Sequence, residues 1–560
     1  MAIVDSKYLN QFQEKLEYLA PDTKVEFIPS PVGGWDALSP LAAMEPQYAV
    51  ILDNWVPRTG FCEIRGGYNA WVQGLVTDTS VNTLMTYRPP LGSEILFAAI
   101  GTQIWNASTY GNPSLSLSGL GGNKWQFVNF TPGGGSSYLL CVNGVDTYRA
   151  YSGTWTIPTI TGPSSADFID INVHKRRIFF IKKNSTDAYY LTTDAIQGAA
   201  TSFPLGALMT KGGRLVSMGT WTVDGGNGPD DLAVWVTSEG QYIVYKGTDI
   251  TNANAWALVG VFDGESPIGQ RCFTKLGSDL LVITQAGILP ISKALPFDPS
   301  GERSVAITNR IQTEFINSST RYGSLFGWQT IPFPNQALVI TNVPISEGAQ
   351  QVQYVMNAVT GAWCKFTGWN ANCFEIFNDS LYFGDNKGNV NLAYAGGLDL
   401  VAPILADMKC AFNYFNEPGR VKTMNFARPL IVADGTLTPT IAVDVDFGDS
   451  SPSATVTILT PSGAVWDVSK WDASSWSGGT VTVTNWFSVN GLGTALAMRL
   501  QVNLSGGGSS SSASQQSVFD SGVFGTMVFD GNGATLRSGE GVPTLKLNMF
   551  EANMQFGGPV

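Results

Sequence analysis

From about residue 80 the chain alternates short apolar blocks with Gly, Asn or Asp turns, and each turn is followed by a second short block. Seven such pairs run in order: Glu94 to Ser108, Tyr138 to Gly153, Arg177 to Asp194, Asp231 to Asp249, Asp279 to Ala294, Ala337 to Trp363 and Ser380 to Gly396. The turns Asn143-Gly144, Glu239-Gly240, Ala286-Gly287 and Lys387-Gly388 place glycine where a tight hairpin needs it. The pairs recur every roughly 40 to 57 residues, the length of a four-stranded propeller blade. Stacked β-sandwiches would also give hairpins, but not at so regular a period. The pattern therefore predicts an all-β fold, a seven-bladed β-propeller over residues 80–399.

The period is broken in identifiable places. Ile307, Ile311 and Phe315 lie four apart within Ser304 to Ile316, so a helical insertion is expected near 304–316, between the fifth and sixth hairpins. Near the start, Tyr8, Leu9, Phe12, Leu16 and Leu19 follow Asp5 at helical spacing up to Pro21. Residues 1–30 thus read as an N-terminal amphipathic helix, packed on its own domain or on a neighbour. Residues 31–79, rich in Gly, Pro, Trp and Asn, read as an extended segment entering the propeller. After 400 the repeat stops. Residues 400–560 read as a C-terminal β domain or as strands returning to the propeller, with a flexible Gly/Ser loop at 505–517.

Composition agrees with strands. Hydrophobic residues make up 44% and aromatics 11% of the 560 residues, charged residues only 14%, and 62 are glycine. The net charge of −12 argues against a surface that grips DNA, though not against a wall past which DNA slides. The six cysteines are widely spaced, without a C-x-x-C pair, and read as free buried thiols of a protein folded in reducing cytoplasm. No apolar run is long enough for a membrane-spanning helix.

Catalytic chemistry is hard to place. The one histidine, His174, lies in INVHKRRIFFI, and triads and zinc sites need a histidine with partners. Asp444, Asp446 and Asp449 form the densest acidic cluster. Asp444 and Asp446 would face one side of a strand, where a calcium ion is conceivable and a solvated strand end is simpler. The acidic, Gly-rich loop Trp221 to Asp231 could hold an ion or a sugar, and reads more simply as a solvent loop. Trp466, Trp471 and Trp476 recur at intervals of five, as a sugar- or base-stacking platform would, or as packing plugs at the end of a β domain. Gly133-Gly134-Gly135-Ser136 lacks the lysine of a phosphate loop and reads as a turn.

One stretch carries a motif without chemistry: GGWDALSPLAAMEPQYAVILDNWVPRTGFCEIRGGY. It resembles the N-terminal signature of the tail nozzle or hub proteins of short-tailed bacteriophages, also called tail tubular protein B or DNA-stabilisation proteins. The matching positions are Gly33, Gly34, Leu41, Met44, Pro46, Ala49, Asn54, Trp55, Pro57, Glu63, Arg65, Gly67 and Tyr68. Later stretches, among them HKRRIFF, FPLGALMTKGGRL, MNAVTGAWCKFTGW and LYFGDNKGNV, resemble the same family in order, so that the likeness covers most of residues 30–396. The part beyond 400 resembles it less. Within the motif, Asn54 to Pro57 would turn the chain, Trp55 would anchor it in a core, and Glu63 to Tyr68 would enter the first blade and help close the ring of blades.

The resemblance implies a virion structural protein and not an enzyme, with no cofactor and no metal. It implies a subunit of a homohexameric ring that meets a head-tail adaptor protein and tail fibres or a tail tip. Viral DNA would pass through the ring lumen without sequence-specific binding. Assembly would take place in the host bacterial cytoplasm. The alternative is a β-propeller tail protein that binds or degrades glycans.

Overall fold

The computed structural model describes residues 22–224, 229–294, 303–433, 439–449, 454–455, 481–483, 485–504 and 545–559. The chain divides into two compact units: one holds Gly66–Ala402, the other Met1–Arg65 together with Pro403–Ser511 and Pro543–Val560.

The Gly66–Ala402 unit is a seven-bladed β-propeller. Blades 1 to 4 are antiparallel four-stranded sheets beginning at Val81–Tyr87, Gln126–Phe130, Phe168–His174 and Leu215–Asp224. Blade 5 has three strands, Phe273–Leu276, Asp279–Thr284 and Gly287–Pro290. Blade 6 runs from Gln329–Phe333 to Trp363–Phe366, and blade 7 begins at Ala371–Phe377. The seven hairpins legible in the sequence are the second and third strands of these seven blades. They stand out because a blade is covered on both faces, so its middle strands are apolar throughout. In blade 5, Leu280 to Thr284 are all buried.

Adjacent blades close on apolar clusters of their own. Val81, Leu96 and Ile100 of blade 1 pack with Cys373, Phe377 and Leu392 of blade 7. Phe97 and Ile104 of blade 1 pack with Leu139 and Cys141 of blade 2. Phe168 and Phe180 stack in parallel at 4.3 Å in the cluster between blades 2 and 3.

The ring is closed by a strand from the other end of the sequence. Tyr68–Val72 pairs antiparallel with Val390–Ala393 and so becomes the outer strand of blade 7. The expected entry of Glu63 to Tyr68 into the first blade is thus corrected: Tyr68 begins the outer strand of the last blade, and Glu63 to Arg65 belong to the other unit. Gly67 makes the junction possible. A Cβ there would lie 1.9 Å from the Leu398 carbonyl oxygen.

The helix between blades 5 and 6 is present but displaced from 304–316. A 3-10 turn, Asn309–Ile311, leads into an α-helix at Gln312–Tyr322, with Ile311 and Phe315 buried. Residues 303–305 are helical as well, and Thr308, between them and the turn, accepts a hydrogen bond from the Ile288 amide of blade 5 through its hydroxyl.

The other unit contains two sheets. In one, the long strands Arg420–Ala433 and Leu545–Pro559 pair with each other. Asp22–Pro29 pairs with Leu545–Pro559, and Trp55–Arg58 and Phe61–Ile64 form a hairpin beside it. In the second sheet, Tyr48–Asp53, Ile404–Cys410, Leu496–Leu504 and Thr440–Val445 pair in that order. Strands before Arg65 and after Pro403 therefore build one unit. Of residues 1–30, expected as an N-terminal helix, those up to 21 lie outside the described residues, and the rest correct the expectation: Asp22–Pro29 is a strand, held in the sheet by its pairing with Leu545–Pro559. Trp466, Trp471, Trp476 and the 505–517 loop also lie outside them. Among the described residues no helix is long and apolar enough to cross a membrane.

Candidate functional site

The motif residues form a frame. Gly33 donates its amide to the Gln47 carbonyl at 2.8 Å, and a side chain there would strike that oxygen and the Tyr48 ring. Gly34 has φ +88°, a conformation suited to glycine. Asn54 takes the left-handed conformation at φ 62°. Its amide donates to the Leu405 carbonyl at 2.7 Å and its oxygen accepts from Arg65 Nε at 2.8 Å. Arg65 is almost fully buried, as is Trp55. Trp55-Val56-Pro57 is a strand, not the expected turn: the bend is at Asn54, a residue type that tolerates the left-handed conformation better than most, and its side chain is held by distant partners, Leu405 and Arg65. Eleven of the thirteen motif positions, from Gly33 to Arg65, thus lie in the two-sheet unit. Gly67 and Tyr68 belong to the propeller.

Side chains suited to binding converge elsewhere, on the propeller axis. The first strands of neighbouring blades pack against one another around the axis. They enclose a cavity of about 210 Å³ lined by residues of all seven blades, including Leu84, Gln126, Asp170, Ser217, Arg271, Gln329 and Glu375.

Asp170 is buried, and its Oδ2 accepts from Ser217 Oγ at 2.8 Å and from the Met218 amide at 2.9 Å, which ties blade 3 to blade 4. Burial pushes its pKa up to about 7, against the opposing pull of those bonds. Glu375 of blade 7 is raised to about 7 by burial too, offset in part by Arg88, whose Nη2 lies 3.1 Å from Glu375 Oε1. Gln329 and Phe374 exchange two bonds, amide to carbonyl in each direction, between blades 6 and 7.

Arg271, just before the inner strand of blade 5, donates from Nη2 to the Asn82 carbonyl (3.1 Å), Thr83 Oγ1 (2.8 Å) and the Trp125 carbonyl (3.2 Å). Those groups belong to blades 1 and 2, which are not neighbours of blade 5, so the side chain crosses the axis. Its guanidinium lies 4.9 Å from the centre of the Phe326 ring, which Lys124 Nζ approaches to 4.5 Å while also pairing with Glu347. These four residues form a strut at the end where the inner strands begin.

Asp170, Arg271 and Glu375 were not singled out by sequence reasoning. The available signal was a charged residue inside an otherwise apolar run, as in FIDI and CFEIF.

The residues that reasoning did single out are held by structural partners. His174 is buried, with Nδ1 3.4 Å from Thr220 Oγ1 and its ring edge-on to Trp256. Burial lowers its pKa to about 4. The expected solvent loop Trp221 to Asp231 is corrected: Leu215–Asp224 and Pro229–Thr237 pair as a hairpin there, and Asp231, opposite Thr222, accepts from Lys175 at 2.8 Å and Thr222 at 2.9 Å. Gly133 donates its amide to Asp194 at 3.0 Å.

The acidic cluster is not a shared face. Asp444 is buried against Lys409 Nζ at 2.7 Å. The strand ends at Val445, and Asp446, at φ 46°, accepts from the Thr494 and Ala495 amides. Asp449 pairs with Arg499 at 2.6 Å. Lys409 Nζ also lies 3.5 Å from Asp449 Oδ1, so Asp444 and Asp449 share a lysine while backbone amides hold Asp446. Among the described residues no group of three or more His, Cys, Asp or Glu is placed to hold a metal ion. The six cysteines are free and buried.

No family model and no curated protein matches the chain. Solved structures do resemble it in fold. The BBS1N domain in complex with ARL6DN shares 9% identity with a TM-score of 0.37, covering 59% of this chain and 98% of its own. Streptogramin B lyase shares 11% with a TM-score of 0.34, covering 66% and 97%. YCF48 from Cyanidioschyzon merolae shares 9% with a TM-score of 0.25, covering 67% and 98%. At such TM-scores these likenesses carry no argument, and it is the chain's own sheets that make it an all-β protein built on a seven-bladed propeller.

Proposed function

We propose that this chain is a structural protein of a short-tailed phage tail, a nozzle or hub subunit below the portal and adaptor rings. Copies of it would form and gate the channel that retains and releases the genome. The observation carrying this reading is the use made of the motif residues. Gly33, Asn54, Trp55 and Arg65 are committed to buried framework contacts, and Gly67 and Tyr68 to closure of the propeller, as expected of a signature that encodes an assembly part.

The axial cavity bears on the path of DNA. Its volume is about 210 Å³. Duplex DNA, whose major groove alone is ~12 Å wide, cannot thread it. The channel of this reading therefore lies between copies of a homohexameric ring. The net charge of −12 supports passage without tight phosphate binding. The partners are the adaptor, fibres or a tip, and DNA bound without sequence preference, in a virion assembled in the host cytoplasm.

Negative-stain microscopy of the purified chain with its adaptor ring tests the proposal. A six-fold ring seated on the adaptor axis is expected, and a monomer that ignores the adaptor would sink it. One observation favours a second reading, a glycan-degrading tail protein: two buried carboxyl groups, Asp170 and Glu375, face one cavity. That reading requires polysaccharide cleavage that disappears in Glu375→Gln.

A further inference from the structure

Blade 5 has three strands, and the helix Gln312–Tyr322 that follows it packs on Gly287–Pro290 of that blade and on Leu338–Ser346 of blade 6. Ser319 fixes it there, donating its hydroxyl to the Gln285 carbonyl at 3.0 Å. A second pocket, of about 200 Å³, lies between this helix and the sheet of blade 6. Glu314, Ser318 and Arg321, four and three positions apart, line it from one face of the helix. Tyr354 and Lys365, directly opposite each other on neighbouring strands, line it from the sheet.

The polar groups run from buried to open. Tyr354 is 1% exposed, and its hydroxyl lies 2.7 Å from Ser318 Oγ and 3.5 Å from Glu314 Oε1. Glu314 thus has one oxygen beside Tyr354 and the other left to accept from a ligand. Arg321 is exposed, and among the described residues nothing pairs with its guanidinium. The planar fork of an arginine matches a carboxylate with two parallel hydrogen bonds.

The charges select the occupant. A neutral sugar makes no use of Arg321 and Lys365, and a cation is repelled by them. A phosphate, with nearly two negative charges, is repelled by Glu314. A monocarboxylate that also carries hydrogen-bond donors answers both signs at once. The volume is below the ~300–1,000 Å³ of a drug-sized site, so the ligand is small.

We infer that the pocket between the helix Gln312–Tyr322 and blade 6 binds a small monocarboxylic acid bearing hydroxyl or ammonium donors, with its carboxylate on Arg321 and its donors on Glu314. This inference requires neither the tail role nor any cleavage of the ligand.

The test uses the full chain, with saturation-transfer NMR and calorimetric titration against D-glucuronate and L-serine, whose donors are hydroxyl groups in one and an ammonium beside a hydroxyl in the other. Acetate lacks the donors and D-glucose lacks the carboxylate, so these two are the controls. At least one of the acids should bind saturably and more tightly than both controls. Arg321 is exposed and unpaired, so Arg321→Gln should fold as the parent does. It should bind that acid about tenfold to a hundredfold more weakly, the worth of a hydrogen bond between charged groups. Glu314→Gln, which keeps the shape and loses the charge, should weaken binding about fivefold. Three results would overturn the proposal: no saturable binding of either acid, a control that binds as tightly as the acids, or parental affinity in either variant.

Discussion

Gly67→Ala tests how the propeller is closed. The added methyl would sit 1.9 Å from the Leu398 carbonyl oxygen, 2.4 Å from its carbon and 2.7 Å from its nitrogen, all backbone atoms. Ordinary contacts are ~3.5–4.0 Å, so the two segments must part by more than 1 Å. Four hydrogen bonds cross the junction: Gly67 N to Gly396 O at 2.9 Å, Ala395 N to Gly67 O at 3.1 Å, Tyr68 N to Leu398 O at 2.9 Å and Leu400 N to Tyr68 O at 2.9 Å. Overpacking costs about 1–3 kcal/mol, and weakening two of the bonds adds about 1 kcal/mol each, for a total of roughly 3–5 kcal/mol. The unfolding entropy of ~2.1 cal/mol/K per residue amounts to about 0.7 kcal/mol/K for a propeller of this size. The melting temperature should therefore fall by about 4–7 °C in a circular-dichroism melt. Gly419→Ala is the control, since a Cβ there meets nothing within 4 Å and no left-handed φ is involved. If the two variants melt together, Gly67 does not hold the closing strand and the reasoning fails.

Asn54→Ala should shift the urea midpoint by an amount equivalent to about 3 kcal/mol, because it strains a left-handed residue and strips buried Arg65 of a partner; an unchanged midpoint would remove Asn54 from the frame. Asp170 and Glu375 keep their protons to about pH 7 in the folded state, near Ser217 and the Met218 amide for one and Arg88 and Arg271 for the other, and release them near pH 4 when unfolded. Each therefore makes stability fall as pH rises from about 4 to 7, by up to roughly 4 kcal/mol. Denaturant melts at pH 5 and pH 8 should show Asp170→Asn losing less over that interval than the parent. His174 is the only histidine, so its imidazole resonances need no assignment, and their NMR titration midpoint should lie near pH 4; a midpoint near 6.5 would contradict its burial. Burial pushes the thiols of Cys62 and Cys373 up to about 12, so a thiol reagent at pH 8 should find no reactive cysteine in the native chain and six after unfolding.

The blades were legible because a strand covered on both faces is apolar from end to end. Leu280 to Ile283 announce themselves without any partner in view. The closing strand was not, since Tyr68–Val72 is a half-buried outer strand whose partner lies at Val390–Ala393. The axial residues were hidden for a related reason. Asp170 and Glu375 interrupt apolar runs by one position each, and only the ring arrangement shows that the interruptions meet. Asp444 and Asp446 were misread because alternation holds only while a strand continues, and this one ends at Val445. The motif residues were recognised as a set, but spacing alone could not divide them between two units.

Closure by an early strand also sets a timetable for folding. About 320 residues separate Val72 from its partner Val390. At a synthesis rate of ~5–20 residues per second, Tyr68–Val72 waits roughly 15–65 s before blade 7 exists to receive it. Closing so long a loop adds little entropy beyond that of a shorter one, since the cost grows only with the logarithm of length. The burden is kinetic. Through that interval the nascent propeller is an open arc with a free edge at its seam, and a neighbouring nascent chain could offer its own early strand to blade 7. Such swapping between copies would be favoured by crowded synthesis and suppressed by dilution.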